Sequence, residues 1–185
     1  CITSYIGTRH CPEKIKQKKR INPKTLNLCF MGYARKDKGF YFLLDAFSKM
    51  PSDLHGKLSF TFAGKIENTA DIDRLRSLQT YFSNITIINQ YSHEDIPSIL
   101  SNIDNGIVPP LVYDALPQVG IEFVCNGVPI FVSDRGGQKE IINHTDFIFS
   151  AGDIEDFWRK FKKIFLNENS IAEVWNSGVH VYSIK

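Results

Sequence analysis

The chain has 185 residues, a length for one domain at roughly 150 residues per domain. A domain of that size buries about 70% of the surface that its unfolded form exposes. Hydrophobic residues make up 43% and charged residues 23%, which excludes long disorder, collagen-like repeats and coiled coils. A net charge of +2 excludes non-specific nucleic-acid binding through bulk charge.

The chain opens Cys1-Ile2-Thr3, with no initiator methionine and no basic segment ahead of an apolar stretch, as the middle of a longer protein would. Between residues 9 and 24 lie Arg9, Lys14, Lys16, Lys18, Lys19, Arg20 and Lys24 against the single acid Glu13. Residues 1–25 are therefore expected to form a basic linker or entry segment. The alternative is attraction to an anionic membrane surface, at ~1 kcal/mol per basic residue near the lipid. The four cysteines, Cys1, Cys11, Cys29 and Cys125, show no C-x-x-C spacing. Cys29 and Cys125 lie inside apolar runs, which predicts buried small hydrophobes in a reducing compartment. No apolar run approaches the ~18–20 residues of a membrane span, so a soluble, cytoplasmic protein is expected, peripheral at most to the inner face of the membrane.

From Leu26 the pattern alternates. Leu26–Met31 is a continuous apolar run ended by Gly32, as for a strand buried on both faces. Phe40, Leu43, Leu44 and Phe47 follow at helical spacing. Leu58–Ala63 reads as a second strand closed by Gly64, and Asp71–Phe82 as a helix. Ile85–Ile88 is a third strand. Ser92-His93-Glu94-Asp95 has the form of a capping box leading into Ile96–Leu100. Gly106–Val108 is a fourth strand, with a helix over 117–126. Val128–Val132, a short helix over Gln138–Ile142 and a strand over Phe147–Phe149 follow. Asp153–Leu166 closes the series as a helix with Phe157, Phe161, Ile164 and Phe165 on its apolar stripe.

Strands alternating with helices predict an α/β fold: a Rossmann-like, doubly wound, parallel six-stranded sheet with helices on both faces. In such sheets ligands bind beyond the carboxyl ends of the strands, near the switch point. The loops over 32–39, 109–117 and 133–137 are thus the candidate site. The dinucleotide fingerprint and the P-loop are both absent, which argues against a nicotinamide dehydrogenase or a P-loop ATPase.

In the first loop Gly32 allows close backbone approach, and Lys38 sits where the next helix starts, facing an anion together with free N–H groups. Arg35 and Lys36 are further loop cations. In the second loop Pro117 suits a first helical turn, so that the amides of Leu116, Gln118 and Val119 point to the carboxyl edge of the sheet. Glu122 follows about 7.5 Å along the helix at ~1.5 Å per residue, and Asp114 precedes it. Two carboxylates flanking an anion-binding helix start suit a ligand with phosphate in the middle and hydroxyls at both ends. A nucleotide-sugar has that shape.

These residues resemble a family. Asp114–Glu122 followed by Asn126-Gly127-Val128-Pro129-Ile130 is similar to the signature of family 4 retaining glycosyltransferases, which have the two-domain GT-B fold. Gly32 with Lys38-Gly39, Gly64, Ser133 through Gly136-Gly137, and Glu140-Ile141-Ile142 match in order, over residues 26–166. The resemblance implies that Lys38 contacts the donor diphosphate and that Glu122 holds the ribose hydroxyls. It implies that Asp114 contacts the transferred sugar and that the amides around Leu116–Val119 hold diphosphate and sugar. It also implies metal-independent, retaining transfer from a nucleoside-diphosphate sugar to an acceptor such as a growing polysaccharide or lipid-linked glycan. No cofactor or nucleic acid is expected. Residues 26–169 would then be the C-terminal, donor-binding half, with 170–185, including Trp175, a tail and the N-terminal acceptor half outside this chain.

Two positions depart from the family pattern. Asp114 is one methylene shorter than the usual glutamate. Tyr33 stands where an arginine usually joins the lysine on the diphosphate, and Arg35 is the candidate replacement. These departures leave open a pseudo-enzyme interaction module, and the fold leaves open a related sugar-nucleotide epimerase.

Overall fold

The structure is a computed structural model that describes residues 25–113, 117–142 and 144–166. The basic run over 9–24, the tail over 170–185, Asp114 and Leu116 lie outside the described residues. Six strands are described: β1 (Leu26–Met31), β2 (Leu58–Gly64), β3 (Asn84–Asn89), β4 (Asn105–Val108), β5 (Ile130–Ser133) and β6 (Ile148–Phe149). They alternate with α1 (Phe40–Ser48), α2 (Thr69–Ser77), α3 (Ile96–Leu100), α4 (Gln118–Cys125), α5 (Gln138–Ile141) and α6 (Ile154–Leu166).

The sheet runs β3-β2-β1-β4-β5-β6 and every neighbouring pair is parallel. The chain builds outward from β1 to β3, then returns to lay β4 on the other side of β1. That return makes the switch point. β1 and β4 pair only through Leu28 with Asn105 and Cys29 with Gly106. Both strands run on beyond that pairing, β1 to Met31 and β4 to Val108, so they separate at their carboxyl ends.

Alternation along the strands sorts the side chains onto two faces. Leu28 and Phe30 share a face with their register partners Phe60 and Phe62, and that face takes the large aromatics. Phe47 of α1 packs edge-on to Phe60 with centroids 4.9 Å apart, and Phe40 to Phe62 at 5.4 Å. Phe157 of α6 meets Phe131 at 5.2 Å and Phe149 at 5.1 Å. Trp158 Nε1 donates to the Ala46 carbonyl at 2.9 Å and so fastens α6 to α1. The opposite face is small where α4 lies on it. A Cβ on Gly106 would come within 2.7 Å of the Phe123 ring, and one on Gly120 within 3.0 Å of Ile141. Helices therefore cover both faces, as the alternation predicts.

The element boundaries differ in instructive ways. The helix expected over 71–82 begins earlier, because the Asn68 side chain caps it by accepting the Ala70 N–H at 3.0 Å, and it tightens to a 3-10 turn at Leu78–Thr80. The fifth strand starts at Ile130 rather than at Val128, since Pro129 has no N–H to give a ladder. Phe147 ends a 3-10 turn instead of starting β6.

Cys29 is a buried free thiol, as expected. Cys125, expected to be a reduced buried thiol, is instead disulfide-bonded. Sequence spacing says nothing about which cysteines meet in space, which is what a disulfide requires. No helix among the described residues is long and apolar enough to cross a membrane.

Candidate functional site

Where β1 and β4 separate lies a cavity of about 400 Å³, within the range of roughly 300–1,000 Å³ for small-ligand sites. Its floor is the ends of the two strands, Phe30, Met31, Ile107 and Val108. Its walls are Gly32, Tyr33 and Lys38 from the loop after β1, Tyr91 and His93 from the loop after β3, and Pro117, Gln118, Val119 and Glu122 from the start of α4. A second cavity of about 580 Å³ opens beside it over β2 and β3 and shares Gly32, Tyr33, Tyr91 and His93.

Backbone contacts hold these loops. Beyond β1 the ladder continues, with Gly32 N–H donating to the Ala63 carbonyl at 2.9 Å and Ala34 N–H to the Lys65 carbonyl at 3.0 Å. The two backbones run so close that a Cβ on Gly64 would lie 1.7 Å from the Gly32 carbonyl oxygen. Gly39 takes a left-handed φ of 78° and starts α1. A Cβ there would sit 1.8 Å from the Pro109 carbonyl oxygen. Leu111 N–H donates to the Asp37 carbonyl at 3.0 Å, and the buried Ser133 hydroxyl donates to the Pro110 carbonyl at 2.7 Å. The Pro109-Pro110 segment is thus gripped from both sides and, lacking N–H groups, leaves no donor unsatisfied.

Pro117 is the residue before α4 rather than inside its first turn; its ψ of 120° is extended and no side chain caps the helix. The amide end of α4 therefore faces the cavity together with Lys38. A helix start and an ammonium together favour an anion. Glu122 stands one turn further on, with its side chain only 10% exposed, and its Oε1 lies 3.3 Å from His93 Nδ1. Burial pushes the Tyr91 phenol above its ordinary range, and the Glu122 carboxylate pushes it the same way. Tyr91 is accordingly a neutral hydrogen-bonding group in this cleft.

Lys38, Gly32, Tyr33, Pro117, Gln118, Val119 and Glu122, all singled out from the sequence, surround this cavity. Arg35 does not line it: its Nε pairs with Asp37 Oδ1 at 2.9 Å and its side chain is 64% exposed. Tyr33 is 54% exposed at the cavity mouth. His93 was not predicted as a site residue. Only the capping box at Ser92–Asp95 hinted at it, by fixing a turn there. In that box the Asp95 carboxylate accepts the Ser92 N–H at 2.8 Å and the Ser92 side chain accepts the Asp95 N–H. Gln90 turns the chain toward the cleft with φ of 71°, the one positive value of a non-glycine residue among the described residues.

The sequence pattern of the family "Glycosyl transferases group 1" matches residues 12–178. The chain belongs to the group 1 glycosyltransferases. No curated protein matches it. Solved glycosyltransferase structures share its fold. Anabaena HepE in complex with UDP-glucose superposes with a TM-score of 0.66 at 14% identity, over 84% of this chain and 43% of that one. Sucrose-phosphate synthase from Thermosynechococcus elongatus gives 0.65 at 18%, over 85% and 40%. A trehalose-6-phosphate structure from E. coli bound with UDP-2-fluoro glucose gives 0.63 at 17%, over 83% and 39%. The chain thus spans less than half the length of these glycosyltransferases, and its Rossmann-like sheet matches their GT-B architecture.

Proposed function

We propose that this chain is the C-terminal, donor-binding domain of a retaining, metal-independent family 4 glycosyltransferase. In the whole protein it presents a nucleoside-diphosphate sugar to an acceptor such as a growing polysaccharide or lipid-linked glycan, in the cytoplasm or at the inner face of its membrane. The observation that carries the proposal is the cavity at the β1–β4 switch point, which Lys38, the amide end of α4 and Glu122 all line. HepE holding UDP-glucose and the E. coli structure holding UDP-2-fluoro glucose support that class of ligand.

Each group has a role. As the bond from the sugar to the diphosphate breaks, negative charge gathers on the leaving group. Lys38 and the first amides of α4 are placed to stabilise it, which is the main electrostatic task in such a transfer. Glu122, nearly out of water, accepts hydrogen bonds from the ribose hydroxyls, and charge-assisted bonds of that kind contribute about 1.5–3 kcal/mol each. By family resemblance Asp114 contacts the transferred sugar, and the amide of Leu116 joins those of α4. The acceptor is held by the other half of the GT-B cleft.

Tyr33 favours a second reading. It stands where a diphosphate-binding arginine is usual, while Arg35 is held by Asp37. Either the donor is bound by Lys38 and the helix alone, or the domain is a pseudo-enzyme that keeps the fold for interactions. Ligand-observed NMR with UDP, GDP and ADP tests the proposal, with binding in the micromolar-to-millimolar range expected for one of them. No response to any of the three would sink it. Binding without sugar transfer by the intact protein would favour the pseudo-enzyme.

A further inference from the structure

We infer that His93 is a positioning residue for Glu122, its Nδ1–H holding the carboxylate in the orientation that receives the ribose hydroxyls of a nucleoside diphosphate. This rests on the reading of Glu122 proposed above and adds a residue outside the sequence signature of the family. His93 Nδ1 lies 3.3 Å from Glu122 Oε1. The two side chains differ sharply in setting: Glu122 is 10% exposed and His93 63% exposed. A carboxylate so withdrawn from water needs a protein donor to satisfy it and to choose its rotamer. A carboxylate offers about four lone-pair sites, so a bond from imidazole is compatible with accepting hydroxyls as well.

The backbone beneath His93 is built to hold that geometry. Gln90 adopts a left-handed φ of 71°, a conformation costly to a non-glycine residue, and its N–H is anchored on the Gly64 carbonyl at 2.9 Å. The Ser92–Asp95 capping box fixes the next turn, with Asp95 N–H donating to the Ser92 carbonyl at 3.1 Å. The reversal brings Tyr91 and His93 to the boundary of the two cavities. A nucleoside diphosphate that spans both has its ribose, between base and phosphates, at that boundary.

The test uses the full 185-residue chain and calorimetric titration with UDP and GDP and with their 2′-deoxy forms. The wild type should prefer the ribose form about tenfold, the effect of one charge-assisted hydrogen bond. His93→Ala should weaken the ribose form about tenfold and the deoxy form less than about twofold, so that the preference collapses. His93→Asn, whose Nδ2 donor sits near the position of imidazole Nδ1, should restore most of it. Circular dichroism establishes that each variant is folded. Retention of the ribose preference by folded His93→Ala would overturn the inference, as would equal weakening of both forms with no rescue by asparagine. If Glu122→Ala removes the preference while His93→Ala keeps it, the role of His93 alone falls. If the wild type binds none of the four nucleotides, the donor reading falls and takes this inference with it.

Discussion

Gly39 is where the loop after β1 touches the loop after β4, and replacing it with alanine tests how that seam forms the site. Two costs are legible in the geometry. Gly39 has φ of 78°, and a left-handed alanine costs about 1–2 kcal/mol. Its Cβ would also lie 1.8 Å from the Pro109 carbonyl oxygen and 2.7 Å from the carbonyl carbon. That is backbone on backbone, so no side chain can swing away. The loops must part, loosening the 3.0 Å bond from Leu111 N–H to the Asp37 carbonyl, which contributes about 1 kcal/mol. The sum is about 2–3 kcal/mol, or a fall in Tm of about 4–12 °C for a domain of this size. Gly56 supplies the control, because its φ of 70° is nearly the same and a Cβ there meets nothing within 4 Å. Gly56→Ala should therefore cost only the left-handed share, about 1–2 kcal/mol. Urea unfolding followed by circular dichroism measures both. Equal costs for the two variants, or a Gly39→Ala effect under about 0.5 kcal/mol, would refute the close approach that shapes the cavity.

Two further outcomes follow from titratable groups. Burial pushes the Asp156 carboxyl up, but the Ser150 N–H, the Arg159 guanidinium and the Lys160 ammonium outweigh it and leave the group below its ordinary value. A lowered folded-state value means the stabilisation is complete above the unfolded value of about 3.9 and is lost as pH falls through the lower folded one. Asp156→Asn should thus cost about 1 kcal/mol at neutral pH and progressively less below about pH 4; a difference constant with pH in urea melts would contradict this. Burial pushes the Cys29 thiol far above its ordinary range, so it stays protonated and unreactive. Iodoacetamide at pH 8 followed by peptide mapping should leave Cys29 unmodified in the folded chain and alkylated in urea, and labelling of the folded chain would show the packing to be wrong.

The doubly wound parallel sheet was legible because strands buried on both faces read as apolar runs, as at Leu26–Met31, and because strands alternating with helices obey few topologies. From that architecture the carboxyl edge of the sheet becomes the place for a ligand, and the observed order sets it at β1 and β4. Lys38, Gln118, Val119 and Glu122 could be singled out because each follows a strand end that the sequence locates. Where the sequence was silent, the missing information was spatial. Arg35 is the candidate second cation, and its spacing alone does not say that its Nε pairs with Asp37. His93 looked like an ordinary capping-box member, because nothing local says that its ring faces a glutamate 29 positions later. The Gly39–Pro109 contact and the Cys125 disulfide are invisible for the same reason. Local signals such as the Asn68 cap move a helix boundary by two residues; they do not reveal what meets across the sheet.

The central claim is that Glu122 holds the donor in a nucleotide-sugar site that Lys38 and the start of α4 also line. Calorimetric titration of wild type and Glu122→Ala with UDP and GDP addresses it directly. One nucleotide should bind the wild type, and the substitution should weaken it by at least about tenfold, the loss of a charge-assisted hydrogen bond, with the fold unchanged. Equal affinity of the two proteins, or no heat from either nucleotide with folded wild type, would contradict it.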